Sequence, residues 1–140
     1  MSFDLTSFLP YQLSVAASRV SKGFAERYRK EFGLSIPEWR VLAHLAGQTS
    51  VSVREIHARV DMDKSKVSRA AASLEAAGLI EKRENLDDRR LLDMRLTAQG
   101  QSLIARIVPI ADDYQAEVLA RLGLDAEVLE RVLAILLEDK

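Results

Sequence analysis

Apolar residues return every three or four positions from residue 8 to about residue 30, which predicts a long amphipathic helix. A second helix is predicted after Ser35, because Ser35-Ile36-Pro37-Glu38 has the pattern of a capping box. Gly47 supplies an end for this helix. The chain is therefore expected to begin with two helices that are separated by only a few residues.

Two short helices joined by a tight turn are predicted from residue 52 to residue 77. The first begins in Ser52-Val53-Arg54-Glu55, a second capping-box pattern, and the second is capped by Asp63 and ends at Gly78. The turn between them is Arg59-Val60-Asp61-Met62. The inward face of the second helix is narrow and consists of Val67, Ala70, Ala71 and Leu74. This arrangement is typical of a helix-turn-helix.

After Gly78 the hydrophobic period changes from about 3.6 residues to two. Residues 79–83 and 92–96 are predicted to be strands, and the polar segment 84–90 between them is rich in turn-forming residues. We therefore expect a two-stranded hairpin with a charged tip directly after the helix-turn-helix.

Two more helices are predicted at the C-terminus. Thr97 caps a long one, which Pro109 should kink and Gly123 should end, and Asp125 caps a last one through Leu137. The terminal helices have more apolar surface than a small helix-turn-helix can cover, which favours packing against a second copy. The predicted fold class is mainly α with a small β-hairpin wing, in a single domain spanning residues 1–140. Residues 34–97 form its winged helix-turn-helix, and residues 1–33 and 98–140 are dimerisation helices.

Composition sets further limits. The chain has 140 residues, of which 48% are hydrophobic and 29% charged, as expected for one soluble domain. Its longest uncharged stretch, residues 5–18, is shorter than the roughly 18 residues that a membrane span needs. No basic residue precedes this stretch, so a secretory signal is not expected and the predicted location is the cytoplasm. The absence of cysteine excludes disulfides, thiolate metal sites and thiol-based redox sensing.

The net charge of −1 conceals an asymmetry between the two ends of the chain. Residues 1–97 have a net charge of +3, whereas residues 98–140 have a net charge of −4. Chance could produce this difference, but it also fits a chain with one end that meets a polyanion.

The start of the second helix of the helix-turn-helix has the residue types that a DNA-recognition helix needs. Its candidate DNA-binding residues, all outside the inward face, are Lys64, Ser65, Lys66, Ser68 and Arg69. Arg69 can bind a guanine edge through two hydrogen bonds, and the serines can bind bases or phosphates. An ordinary solvated helix face is the alternative. The wing, with Arg89 and Arg90 at its tip, favours DNA, because two adjacent basic elements can contact neighbouring grooves.

The segment Asp88-Arg89-Arg90-Leu91-Leu92-Asp93-Met94-Arg95-Leu96-Thr97-Ala98-Gln99-Gly100 resembles the signature of MarR-type regulators, a D-x-R wing tip followed by L-T-x-x-G. Residues 35–42 and 74–80 are similar to that family's second helix and to the end of its recognition helix. The resemblance implies a homodimer on a pseudo-palindromic double-stranded DNA operator. It also implies that Arg90 enters the minor groove and that Asp88 orients it. An ordinary turn-capping role for Asp88 is compatible with this.

Many MarR-like proteins release DNA when a small aromatic anion binds between the dimerisation helices and the winged domain. The candidate effector-binding residues here are Tyr11, Trp39, Arg40 and His44. An arginine would suit a carboxylate and the aromatic residues would suit a ring. Each also has an ordinary structural explanation: Trp39 as a core residue, Arg40 in a salt bridge, and His44 as a satisfied polar group.

Other functions find less support in the sequence. His44 and His57 are the only histidines and lie on different predicted helices, so no metal site is expected. No phosphate-binding loop, nucleophile motif or cofactor motif is present, and the acidic pairs Asp87-Asp88 and Asp112-Asp113 are typical of solvated surface, so neither enzyme activity nor a cofactor is expected. The main alternative is a winged-helix module that binds only proteins. A steep dependence of DNA affinity on salt would separate the two.

Overall fold

A computed structural model describes residues 2–47, 51–88 and 92–138 of the chain. After a short 3-10 turn at Leu5–Ser7, its helices and strands follow in the order α1 (Leu9–Phe32), α2 (Ile36–Leu45), β1 (Val51–Ser52), α3 (Val53–Arg59), α4 (Lys64–Ala76), β2 (Ile80–Glu84), β3 (Leu92–Leu96), α5 (Ala98–Leu122) and α6 (Ala126–Leu136). A 3-10 turn at Gly123–Asp125 joins α5 to α6. The mainly helical fold class with a small β-sheet wing is confirmed.

Side-chain caps start four of these helices where the sequence predicts them. The capping box of α2 is complete: the Ser35 hydroxyl accepts from the Glu38 amide at 3.3 Å, and the Glu38 carboxylate accepts from the Ser35 amide at 2.9 Å. Asp63 accepts from the Lys66 amide at 2.8 Å and Thr97 from the Gly100 amide at 3.0 Å. The cap of α3 keeps only one half of its box, the Ser52 hydroxyl accepting from the Glu55 amide at 3.1 Å.

The predicted Asp125 cap of α6 is wrong. Asp125 precedes the helix, but its side chain makes no capping hydrogen bond. The reason is that Asp125 itself belongs to the 3-10 turn and has near-helical backbone angles, φ −81° and ψ −7°. A capping side chain requires an extended backbone at its own position.

The sheet has three strands, not the two that were predicted. β3 lies in the middle and pairs antiparallel with both β2 and β1. Val51 faces Met94 across the β1–β3 pair, and both side chains are buried. Two residues are too few to show an alternating pattern, so only tertiary pairing identifies β1 as a strand.

The turn between α3 and α4 confirms the helix-turn-helix. Asp61 takes a left-handed backbone conformation, with φ at 52°, which turns the chain sharply between the two helices. The His57 Nδ1 atom lies 2.7 Å from the Met62 carbonyl oxygen across this turn. Because a carbonyl can only accept, Nδ1 carries the proton and His57 holds the turn closed.

One hydrophobic core joins the helix-turn-helix to the sheet and to the middle of the long helices. Tyr28 of α1, Leu42 of α2, Ile56 of α3 and Leu74 of α4 are buried in it, and Ile107 of α5 closes it. α5 continues through Pro109, beyond which none of its side chains is buried. The ends of the long helices therefore extend outside this core.

Candidate nucleic-acid interface and effector cleft

The recognition helix α4 presents a basic and polar face to solvent. Its four predicted inward residues are all buried: Val67, Ala70, Ala71 and Leu74. This burial leaves the five candidate DNA-binding residues exposed, namely Lys64, Ser65, Lys66, Ser68 and Arg69. Apart from the Asp63 carboxylate that caps it, no acidic residue lies at the start of α4, and Lys64 and Lys66 are in its first turn. The first turns of α4 are thus free to meet an anionic surface.

Within this face, Arg69 lies one turn after Ser65, and its guanidinium donates to the Ser65 hydroxyl over 3.4 Å. This long contact leaves most of the five guanidinium donors available. The two side chains therefore form one polar unit on the exposed side of α4.

A bridge from α2 fixes the opposite half of the recognition helix. The Glu38 Oε2 atom accepts from the Ser73 hydroxyl at 2.8 Å, while Oε1 caps the start of α2. Burial raises the pKa of the Glu38 carboxyl, but the hydrogen bonds from Ser35 and Ser73 outweigh it, so the pKa lies below its ordinary value of 4.5. The cap is visible in the local sequence, whereas the contact with Ser73 is not, because Ser73 lies 35 residues along the chain from Glu38.

The base of the wing is held by ion pairs across β2 and β3. Arg95 of β3 forms a short ion pair with Glu81 of β2, and Lys82 lies 3.8 Å from Glu75 of α4. The hydrogen bond from Arg95 holds the pKa of the Glu81 carboxyl below its ordinary value. These contacts fix the orientation of the wing relative to the recognition helix.

Beyond its base, the wing is shaped by Asn85, whose amide donates to the Asp93 carboxylate and whose carbonyl accepts from two backbone amides of the loop. Asp88 is partly buried in this loop. Arg89 and Arg90, the predicted DNA contacts of the wing tip, lie outside the described residues.

Three of the four candidate effector residues come together on α2. Trp39, Arg40 and His44 line a shallow cleft of about 330 Å³, with Ala43 and Val60 completing its wall. The His44 Nε2 atom lies 3.3 Å from the guanidinium of Arg59 on α3. Because a guanidinium can only donate, Nε2 is the unprotonated nitrogen of the ring.

Trp39 forms the apolar base of this cleft and is part of an aromatic cluster. Its ring lies edge-on to Phe24, with centroids 5.3 Å apart, and 6.0 Å from Tyr28. Burial raises the pKa of the Tyr28 phenol, which Arg29 and Arg40 partly offset. Trp39 therefore packs against the core and lines the cleft at the same time, so its two predicted roles are compatible.

Tyr11 is not among the residues that line the cleft. It is exposed near the start of α1 and lies 13 residues before Phe24, which is the nearer to Tyr11 of the two α1 residues whose rings pack against Trp39. At 1.5 Å per residue this separation is about 20 Å along the helix axis, beyond the reach of a tyrosine side chain.

A larger cavity of about 680 Å³ lies between the end of α2, the base of the wing and the start of α5. Leu45, Leu96 and Ile104 give it an apolar wall, and Glu81, Arg95 and Gln101 give it a polar one. Its lining comes from α2, β2, β3 and α5, and because residues 45–47, 81 and 95–104 lie far apart in sequence, no local pattern predicts it. The described part of the chain has no group of three or more metal-binding side chains, and no helix there is long and apolar enough to cross a membrane.

Comparison with known proteins identifies the family. The profile of the MarR family matches residues 32–91, from the end of α1 through the wing tip. The transcriptional regulator HosA of Escherichia coli O111:H- is 30% identical over 91 residues, which are 64% of this chain and 67% of HosA.

Solved structures of the same fold extend the match to the whole chain. BpsR of Bordetella bronchiseptica, whose DNA binding is regulated by 6-hydroxynicotinic acid, superposes with a TM-score of 0.86 at 21% identity, over 100% of this chain and 99% of BpsR. NadR in complex with 4-hydroxyphenylacetate gives a TM-score of 0.80 at 19% identity, over 100% of this chain and 99% of NadR. The fold, the recognition helix and the matched sequence agree, and the chain belongs to the MarR family of transcriptional regulators.

Proposed function

We propose that this protein is a homodimeric repressor that binds a pseudo-palindromic DNA operator and releases it when a small aromatic carboxylate binds. The observation that carries the DNA-binding part is the exposed basic face of α4 over its first two turns. On this proposal residues 1–140 act as one domain in the cytoplasm, with residues 34–97 on DNA and residues 1–33 and 98–140 at the dimer interface.

The DNA contacts are divided between α4 and the wing. Lys64 and Lys66 neutralise phosphates, Ser65 and Ser68 contact bases or phosphates, and Arg69 reads a guanine edge in the major groove. Two-fold symmetry would place the half-sites about one helical turn, ~10 bp, apart.

The wing supplies the second set of contacts. Arg90 enters the adjacent minor groove, Arg89 contacts the backbone beside it, and Asp88 orients Arg90. A narrow minor groove has an enhanced negative potential that attracts an inserted arginine.

The dimer is supported by the distribution of exposed apolar side chains. Apart from Leu86 and Leu92, every large hydrophobic residue exposed in the described part of the chain lies in residues 3–20 or 108–137. These residues lie in the N-terminal segment and the first half of α1, at Val108 in the middle of α5, and in the turn and helix that follow α5. Exposed apolar surface concentrated in this way marks an interface between protein chains.

The effector would lie against α2. Arg40 is exposed and can pair with a carboxylate, Trp39 offers a ring face, and His44 offers a ring nitrogen. Tyr11 reaches this cleft only from a second copy, given its distance along α1. Two compounds support this class: 6-hydroxynicotinic acid, which regulates DNA binding by BpsR, and 4-hydroxyphenylacetate, which is in complex with NadR, are both hydroxylated aromatic acids.

The DNA-binding proposal is tested by fluorescence anisotropy on DNA from upstream of the protein's own gene, across a salt series. The logarithm of affinity should fall with the logarithm of salt concentration with a slope of about −0.9 per neutralised phosphate. Arg69→Ala should cost about 1–3 kcal/mol and relax discrimination at one position per half-site, whereas Arg90→Ala should weaken binding to all sequences.

Wild-type affinity in both Arg69→Ala and Arg90→Ala would reject the assigned DNA surface. If the unmodified protein binds no sequence even after selection from random DNA, the protein-binding alternative replaces the proposal.

The effector proposal is tested by adding a panel of benzoates and hydroxycinnamates to the protein–DNA complex. Arg40→Ala should raise the concentration of any active compound needed for release and leave DNA affinity without the compound unchanged.

A further inference from the structure

The wing contains a side chain that holds its two arms together. Asn85 immediately follows β2, and its Nδ2 atom donates to both carboxylate oxygens of Asp93 on β3, each at 3.0 Å. The strand register pairs Arg83 with Asp93. Asn85 follows Arg83 by two residues, so its side chain is on the same face of the hairpin as those of Arg83 and Asp93. The side chain of Asn85 therefore crosses diagonally from one strand to the other.

The other end of the same amide shapes the loop. The Asn85 Oδ1 atom accepts from the amide of Asp87 at 2.8 Å and from the amide of Asp88 at 2.9 Å. These two hydrogen bonds form an Asx turn, in which a side chain replaces a backbone carbonyl and directs the chain into a bend. Asn85 thereby fixes the direction of the chain as it enters the wing tip.

Only an asparagine satisfies this position with the neighbours present. An aspartate would accept from the loop amides but would place its carboxylate against that of Asp93, and like charges at this separation repel. An alanine would free all three partners. Both the donor and the acceptor of the amide are thus used.

We propose that Asn85 is a positioning residue for the DNA contact of the wing, acting through the direction that it imposes on residues 87 and 88 and hence on Arg90. This inference rests on the proposed function, in which Arg90 enters the minor groove. Asn85 itself need not touch DNA.

The test begins with Asn85→Asp in the protein of residues 1–140, and DNA affinity is measured by anisotropy at fixed salt. We expect a loss of about tenfold, and no more than Arg90→Ala causes, since one charge-assisted contact is replaced by repulsion. The matched rescue is the swap Asn85→Asp with Asp93→Asn. In the swap the amide at position 93 can donate to the carboxylate at position 85, which still accepts from the loop amides, and the net charge is unchanged. The swap should restore most of the lost affinity.

A double-mutant cycle separates positioning from general loss of structure. In the Arg90→Ala background, Asn85→Asp should have no further effect on affinity, whereas with Arg69→Ala the two losses should add. Two results would overturn the proposal. One is a further loss of DNA affinity when Asn85→Asp is added to Arg90→Ala, and the other is a DNA affinity of the swap variant no higher than that of Asn85→Asp.

A measurement without DNA tests the structural role of Asn85 independently of whether the wing binds DNA. Hydrogen exchange at the amides of Asp87 and Asp88 should accelerate in Asn85→Ala and return to the wild-type rate in the swap. Unchanged exchange overturns the role of Asn85 whatever the DNA result. Accelerated exchange, together with wild-type DNA affinity in both Asn85→Asp and Arg90→Ala, instead rejects the wing as a DNA contact.

Discussion

At the scale of single residues, Gly100 shows how tightly the first turn of α5 packs against the end of the recognition-helix unit. A Cβ atom at this position would lie 2.1 Å from the backbone carbonyl oxygen of Leu79. That oxygen already accepts from the amide of Thr97 at 3.1 Å, so it cannot readily move away. The glycine of the L-T-x-x-G segment is therefore required by a close backbone approach.

We predict that Gly100→Ala lowers the free energy of unfolding by about 1–3 kcal/mol, the range for overpacking a rigid site. The direction is informative, because alanine normally stabilises a helix interior relative to glycine by about 1 kcal/mol. Urea denaturation followed by circular dichroism measures the change. Gln99→Ala, at the exposed neighbouring position, is the control. A midpoint equal to or above the wild-type value for Gly100→Ala would contradict the assigned packing.

At the scale of elements, the contact between α2 and α4 connects the candidate effector cleft to the candidate DNA-binding surface. α2 carries Trp39 and Arg40 on its exposed side and Glu38 at the junction with α4, where the carboxylate accepts from Ser73. A displacement of α2 would therefore be transmitted to the recognition helix through a short and specific contact.

The ionised Glu38 carboxylate is stabilised in the folded protein, because its pKa is lowered there. Its contribution to stability is present above the unfolded pKa, near 4.5, and is lost as pH falls through the folded pKa. Glu38→Gln should therefore be less stable than the wild type at pH 7, and the difference should shrink below about pH 4.5. Urea midpoints at a series of pH values measure this. Glu26→Gln makes the same change on the exposed surface of α1. A difference between Glu38→Gln and wild type that persists unchanged to pH 3 would argue against the assigned network.

At the scale of the whole molecule, the C-terminal helix leaves most of its apolar side uncovered within the described chain. α6 has no buried residue, although Leu129, Val132, Leu133 and Leu136 form one of its sides. Within a single chain this side of the helix is largely in water, so on the proposed function its stability would depend on a second copy.

The protein should sediment as a dimer of 15.6 kDa chains. Leu133→Glu should dissociate it or weaken the dimer by at least tenfold, because a carboxylate would be buried at the interface without a partner. Leu86→Glu makes the same substitution at a leucine of the wing that is 98% exposed, and should leave the dimer intact. A stable wild-type monomer in analytical ultracentrifugation would refute the dimer, and dissociation by both variants would leave the α6 interface unsupported.

Much of this organisation could be predicted from the sequence, because its determinants are local. Capping residues such as Ser35 and Thr97 bind backbone amides three residues away. The spacing of hydrophobic residues along α4 and along the two wing strands also shows directly in the sequence which side of each element is buried. The family resemblance was likewise carried by a continuous segment, and the family match confirms it.

Contacts that depend on distant segments were decided only by the tertiary structure. β1 exists because Val51 meets Met94, and the second oxygen of Glu38 binds Ser73 of another helix. The cleft on α2 brings Val60 beside Trp39 and leaves Tyr11 far along α1. The sequence by itself determined the elements and the exposed basic face of α4, since short-range hydrogen bonds and periodic burial specify these. The third strand, the α2–α4 bridge and the cavities required the packed core to bring together residues that no local pattern connects.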